Sequence, residues 1–175
     1  MKLNLYIDFD GVILNTIDVA SDMYFGNKKH IGYPPRDFYE SIDWEKLIDN
    51  CHEINNSLTN LSKIIKSNLY NVKILTHIVC NKEKEAKTKY LKRIFPDLEV
   101  ITVFKDYNKC DVVDCKGAIL VDDYTKNLDL WESNGGISIK FSHKKKKYNY
   151  ITISNLNSLL DIFPKLKALS SKKTC

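Results

Sequence analysis

Apolar residues run on without clean alternation at Leu3, Leu5, Tyr6 and Ile7, which predicts a short strand buried on both faces. Further apolar runs at Val72–Val79, Leu98–Phe104, Ala118–Val121, Ile137–Phe141 and Tyr150–Ile153 predict the remaining strands. Between these runs the period lengthens to that of a helix. Asn15 to about Gly26 carries Ile17, Ala20 and Tyr24 at helical spacing, and Trp44, Leu47, Ile48, Cys51 and Ile54 form a stripe wide enough to bury. Leu58, Leu61, Ile64 and Ile65 repeat that stripe after a break at Asn55-Asn56-Ser57, whereas Asn27–Pro35, with its Pro-Pro pair, reads as loop. Helices are also expected over Lys82–Phe95, Asn108–Cys115, Thr125–Ser133 (stopped by Gly135-Gly136) and Asn155–Leu169, the last kinked or broken at Pro164. Strand alternating with helix means an α/β fold: a three-layer, Rossmann-like parallel sheet with helices on both faces. The pattern assigns residues 1–17 and 70–175 to that core and 18–69 to a small helical insertion after the first strand.

An open parallel sheet binds ligands beyond the carboxyl ends of its strands. The first strand ends in Asp8 and Asp10, the second in Thr76-His77 and the fourth in Asp122-Asp123. Residues two apart on a strand point the same way, so Asp8 and Asp10 can face one small volume, and Gly11 lets the backbone bend directly afterwards. Taken singly, each feature has a plain explanation: an Asp-Gly turn, a polar turn before a helix, a β-branched residue at a strand end. Together they bring four carboxylates to one edge, which is unfavourable without a cation; hard oxygen ligands of this kind suit Mg²⁺. A phosphate held there needs a cation of its own. Lys105, Lys109 and Lys116 precede the fourth strand; Lys109, at the start of an expected helix, is the best placed, and Lys116 reads as a surface lysine. The Thr76 hydroxyl can bind another phosphoryl oxygen.

Composition adds limits. At 175 residues and 43% apolar content the chain reads as one globular domain, with no membrane-length apolar run and no signal-peptide pattern at its start. Cysteines 51, 80, 110, 115 and 175 are odd in number and contain no CxxC, so no disulfide framework is expected and a reducing, cytoplasmic setting follows. His77 and Cys80 are too few for zinc and read as packing residues. The net charge of +5 comes partly from Lys144–Lys147 and Lys172-Lys173, which read as solvated loop and chain end and argue against a nucleic-acid partner.

Asp8-Phe9-Asp10-Gly11-Val12, then Ile74-Leu75-Thr76, then a lysine, then Leu120-Val121-Asp122-Asp123 resemble the four ordered motifs of the haloacid dehalogenase (HAD) superfamily of phosphohydrolases. Ile119–Leu128, followed by Trp131 and Gly135-Gly136-Ile137, is similar to its 5'(3')-deoxyribonucleotidase-like branch. The resemblance implies that Asp8 is the nucleophile that forms an aspartyl-phosphate, and that Asp10 protonates the leaving oxygen and then activates water. It implies that Thr76 and Lys109 hold the phosphoryl group, that Asp8, Asp122 and Asp123 make the Mg²⁺ site together with Asp10, the last through its backbone carbonyl, and that an aspartate at the second motif position serves phosphate rather than halide chemistry.

By the same resemblance the helical insertion is a mobile cap. Tyr24, Tyr33, Phe38, Tyr39 and Trp44 could stack a nucleobase, although Trp44 and Phe38 fit the cap's own core better; Lys28, Lys29, His30 and Arg36 could meet an anion or simply be solvated. The expectation is a Mg²⁺-dependent phosphomonoesterase whose small phosphorylated substrate is a nucleoside monophosphate. The alternatives are a phosphatase for another small phosphoester or for a polynucleotide end, with Lys144–Lys147 tracking the backbone, and a non-catalytic module that binds nucleic acid or protein through its lysine runs.

Overall fold

The computed structural model describes residues 2–26, 33–144 and 146–174. Its centre is a six-stranded, all-parallel sheet of β1 (Leu3–Ile7), β2 (Tyr70–Ile78), β3 (Glu99–Phe104), β4 (Ile119–Asp122), β5 (Ile137–Phe141) and β6 (Ile151–Ile153), in the order β3-β2-β1-β4-β5-β6. The order reverses at β1, which pairs with β2 on one side (Leu5 opposite Val72) and with β4 on the other (Leu5 opposite Ile119). That reversal is the switch point at which open α/β sheets place their ligands.

The helices are α1 (Thr16–Phe25), α2 (Arg36–Ser41), α3 (Trp44–Asp49), α4 (Ser57–Ser67), α5 (Asn81–Ile94), α6 (Thr125–Ser133), α7 (Ser158–Asp161) and α8 (Phe163–Thr174). Strand alternation divides the core between the two faces of the sheet. Leu5, Ile7 and Phe9 belong to a large cluster with Leu61, Leu91, Leu159 and Leu166, while Tyr6 and Leu120 join Leu128 and Trp131 on the other side. Parallel neighbours need a crossover of a dozen residues or more. Between β1 and β2, α4 lies against β2 and α7 in the covering layer, while α1 and α3 pack together, and α3 packs on α5.

Three elements differ from the sequence pattern. The Trp44–Ile54 stripe is helical only as far as Asp49; Asp43 caps α3 through Oδ1, which accepts from Lys46 N at 3.1 Å. Ile54 then lies in a bend just after the Glu53–Leu14 bridge, and its N–H donates to Ile13 O at 2.9 Å, so its partial burial comes from docking on the loop after β1. The helix expected over Asn108–Cys115 contracts to a 3₁₀ turn, Lys109–Asp111, closed by reciprocal bonds between Asn108 and Asp111. The C-terminal helix breaks at Ile162, and Pro164 falls in the first turn of α8, where a missing N–H costs no hydrogen bond.

The cysteines form no framework, but the reading that leaves them all reduced is corrected by one bond: Cys110 and Cys115 are joined, their Cα atoms 5.7 Å apart because the chain folds back after the 3₁₀ turn. Their spacing is not a CxxC, so no motif announced the pair, and cysteine usage no longer argues for a reducing compartment. No helix among the described residues is long and apolar enough to cross a membrane.

Trp131 anchors the smaller face. It is fully buried, its Nε1 donates to Ala118 O at 3.0 Å, and its ring meets Tyr6 edge-on at 5.4 Å. A Cβ on Gly136 would lie 2.2 Å from the indole, so only glycine lets the chain pass there. Trp131→Ala should therefore cost about 3–5 kcal/mol, read as a lower denaturant midpoint with an unchanged slope.

Candidate active site

The site is built where β1 and β4 end side by side. Asp8 N donates to Val121 O at 2.9 Å, which extends the β1–β4 ladder by one residue and sets Asp8 beside Asp122. Phe9 is fully buried below, so Asp8 and Asp10 share the opposite direction. Gly11 then turns the chain at φ +70°, and a Cβ there would lie 2.4 Å from an Asp123 carboxylate oxygen. The glycine is thus required twice, by its backbone angle and by its closeness to Asp123.

Asp8, Asp122 and Asp123 offer carboxylate oxygens that all lie within 4.8 Å of one another. Lys109 is buried against this group: its Nζ lies 2.9 Å from Asp8 Oδ1 and donates to Asp122 Oδ2 at 2.7 Å. Asp122 is held further by Tyr124 N on Oδ1 (2.7 Å) and by Asn127 Nδ2 on Oδ2 (2.9 Å). Lys140 on β5 donates to the Asp123 carbonyl. Asp10 faces a different set of partners. Its Oδ1 accepts from the Thr16 hydroxyl at 2.6 Å, and its Oδ2 accepts from Lys87 Nζ at 2.5 Å and from the Thr76 hydroxyl at 3.3 Å.

Of the expected site residues, Asp8, Lys109, Asp122 and Asp123 converge, and Asp10 and Thr76 form an adjoining pair. The Asp10 side chain is not in the metal-type cluster. Among the three lysines, Lys109 is the one that reaches the carboxylates; Lys105 lies over the Tyr39 ring at 4.8 Å and lines the cavity above, and Lys116 lies beside Gly135, away from the cluster. Trp44 and Phe38 pack with Tyr39, and Trp44 is buried with its Nε1 donating to Tyr39 O at 2.8 Å. His77 is not only a packing residue: its Nε2 lies 3.1 Å from Tyr107 O on the cavity wall. Lys28, Lys29, His30, Lys145 and Cys175 lie outside the described residues.

The electrostatics of the cluster follow from burial. Asp8 is pushed up to about 8, first by loss of water and then by Asp122, Asp10 and Asp123, with Lys109 opposing. Asp123 rises to about 7, again first by burial and then by Asp122. Burial would also raise Asp10, but Lys87 and Thr16 outweigh it and bring Asp10 below the usual carboxylate range.

These residues fit a divalent cation. Asp8 Oδ1 is buried without a hydrogen bond of good geometry despite its ion pair with Lys109. Lys87 and Lys109 pair with four carboxylates, Asp8, Asp10, Glu83 and Asp122, while Asp123 stands beside them and Lys140 is bonded to the Asp123 backbone carbonyl. Even with Lys140 counted, three ammoniums face five carboxylates, which leaves two negative charges uncompensated when all are ionised. The donors are hard oxygens, the ligands that Mg²⁺ takes. Above them opens a cavity of about 720 Å³, lined among others by Tyr39, Trp44, Lys105, Tyr107, Tyr124 and Lys126.

No protein-family model and no curated protein sequence matches the chain. Solved structures do. A phosphonoacetaldehyde hydrolase like protein from Oleispira antarctica superposes with a TM-score of 0.63 at 10% identity, over 97% of this chain and 94% of the other. A HAD phosphatase from Thermococcus onnurineus gives 0.57 at 15% identity, over 93% and 97%. A D,D-heptose 1,7-bisphosphate phosphatase from B. bronchiseptica, complexed with magnesium and phosphate, gives 0.56 at 11% identity, over 94% and 99%. The fold is therefore the α/β fold of HAD-superfamily hydrolases and phosphatases. At these identities the likeness speaks for the fold, not for a substrate.

Lys87, Glu83, Thr16, Asn127 and Lys140 escaped the sequence reading. A signal did exist for two of them: Glu83, Ala86, Lys87 and Leu91 form the buried face of α5. Two opposite charges one turn apart on the stripe that should be apolar mark a buried pair.

A folded-state pKa raised on a carboxylate means that the folded chain holds a proton the unfolded chain has lost, so stability falls as pH rises towards that value. Between pH 7 and 8.5, above the ordinary histidine range, the metal-free protein should lose several degrees of Tm. Mg²⁺ should restore most at the upper end, where the carboxylates are free to bind it, as measured by calorimetry with and without EDTA.

Proposed function

We propose that the protein is a Mg²⁺-dependent phosphomonoesterase that works through an aspartyl-phosphate on Asp8. The observation that carries this reading is the pairing of a buried, incompletely satisfied Asp8 oxygen with the Lys109 ammonium 2.9 Å away, beside two further aspartates at the sheet's switch point. In the first step an Asp8 oxygen bonds to phosphorus and the bond to the leaving oxygen breaks, while Asp10 gives that oxygen a proton. The lowered pKa of Asp10 means that it meets the substrate ionised; the proton enters with the phosphate, whose second pKa is about 6. In the second step water attacks phosphorus, Asp10 takes its proton, and the bond to Asp8 breaks.

Lys109 would neutralise charge on the transferring group, and Asp122 would hold Lys109 in place. Asp8, Asp122 and Asp123 would hold Mg²⁺, which when bound supplies charge compensation for the phosphoryl oxygens. For Thr76, buried and bonded to Asp10, we keep the role of donor to a phosphoryl oxygen near Asp10.

The favoured substrate is a nucleoside 5'-monophosphate. Its support is the cavity wall, where Tyr107 and Tyr124 are exposed beside Lys105 and Lys126, which make no ion pair among the described residues. Arg36 also lines it but is engaged by Glu40 at 2.8 Å and Asp106 at 3.3 Å. We assign the cap role to α1–α3, which line the cavity, and leave α4 with the sheet that it covers. A phosphorylated polynucleotide end would meet the same wall.

Incubation with nucleoside monophosphates, sugar phosphates and a 5'-phosphorylated oligonucleotide, in Mg²⁺ or EDTA, separates these readings. Nucleoside monophosphates should release phosphate in Mg²⁺ alone, and Asp8→Asn should lower kcat by at least about 10³-fold. Full activity in EDTA, or in Asp8→Asn, would remove the mechanism; a preference for sugar phosphates would remove only the substrate.

A further inference from the structure

We propose that Lys87, fixed by Glu83, is the positioning residue of Asp10: it holds the acid–base carboxylate in the one orientation from which protons can be passed to and from the reacting oxygens. The inference rests on the phosphatase reading above and adds to it a residue on α5, outside the motifs that carry that reading.

The Lys87 side chain is fully buried, which is rare for a lysine without partners. Its Nζ lies 2.5 Å from Asp10 Oδ2, 2.7 Å from Glu83 Oε1, 3.3 Å from Thr76 Oγ1 and 3.1 Å from His77 O. Glu83 is itself pinned, since its Oε2 accepts from Val79 N at 2.6 Å. The chain of contacts therefore runs from the end of β2 through Glu83 and Lys87 to one oxygen of Asp10. Thr16 takes the other oxygen from α1, so both ends of the carboxylate are fixed and its plane cannot rotate without breaking a short bond.

A buried ion pair that only joins two elements could be exchanged for apolar side chains at little cost. This one ends on a residue at the reaction centre. It is also separate from the second buried lysine: Lys109 touches Asp8 and Asp122, and Lys87 touches Asp10 and Glu83. The Phe9 and Trp44 rings lie 5.4 and 5.6 Å from Lys87 Nζ and shield it from water, which strengthens its hold on Asp10. One ammonium thus serves the nucleophile and the other the proton carrier.

The test is the dependence on leaving group. An alkoxide needs the proton that a well-oriented Asp10 delivers, whereas p-nitrophenolate departs without it. In Lys87→Met, kcat for a nucleoside 5'-monophosphate should fall about 10²–10³-fold, with KM changed less than about threefold, while kcat for p-nitrophenyl phosphate should fall less than about tenfold. Because that variant leaves Glu83 buried without its partner, the double variant Glu83→Gln/Lys87→Met, which removes both charges, is measured beside it. Its folding is checked by circular dichroism, and the same split between the substrates is expected. An equal loss on both substrates in a folded variant, or no loss on either, would overturn the positioning role while leaving the phosphatase reading standing. A wild-type protein that hydrolyses neither substrate in Mg²⁺ would overturn both.

Discussion

Like charges gathered out of water dominate this molecule. Asp8, Asp122 and Asp123 stand close together at the ends of adjacent strands, two of them nearly inaccessible to solvent. Such a group can exist only if protons, lysines or a metal ion offset the repulsion. Every other feature of the rim follows from that need. Lys109 is drawn into the interior, Asn127 and the Tyr124 N–H are turned onto Asp122, and Gly11 yields space to Asp123. The same groups make this one spot of the rim attractive to a hard cation, because the field that repels a bare carboxylate draws positive charge.

The two buried lysines show how a sheet distributes charge. Each comes from a different segment, Lys109 from the 3₁₀ turn before β4 and Lys87 from the helix after β2. Each is held by two carboxylates, and in both cases burial alone would depress the ammonium while the neighbouring aspartate lifts it above its usual value. The ammoniums therefore stay charged throughout the accessible pH range. They act as fixed counter-ions, and the titratable behaviour of the rim belongs to Asp8 and Asp123.

Much of this was legible in the sequence because strand ends are legible. Continuous apolar runs ending in Asp8, Thr76 and Asp122 gave both the parallel sheet and the edge at which chemistry collects. The pattern favours Lys109 over Lys105 and Lys116 for its place at the start of an expected helix; Lys109 does reach Asp8 and Asp122, although that helix is a single 3₁₀ turn. What stayed hidden depends on contacts that periodicity does not encode. Thr16 reaches Asp10 because α1 begins at the rim, and Lys140 reaches Asp123 because β5 lies beside β4. Lys87 was concealed by its surroundings: among the lysines at 82, 84 and 89 it looks like one more solvated charge, and only its helical register distinguishes it. The Cys110–Cys115 bond was equally silent, since chain reversal over a short non-helical stretch leaves no compositional mark.

The central position of β1 also governs when the acidic rim comes into being. Leu5 pairs with Val72 and with Ile119, so the second neighbour of the strand that carries Asp8 comes from more than a hundred residues further along the polypeptide. Until β4 docks, Asp8 and Asp122 remain apart in water, each an ordinary acid with no cause to repel the other. The site thus depends on the longest-range strand pairing of the sheet, and a nascent chain still short of β4 is spared the electrostatic burden that the finished protein carries.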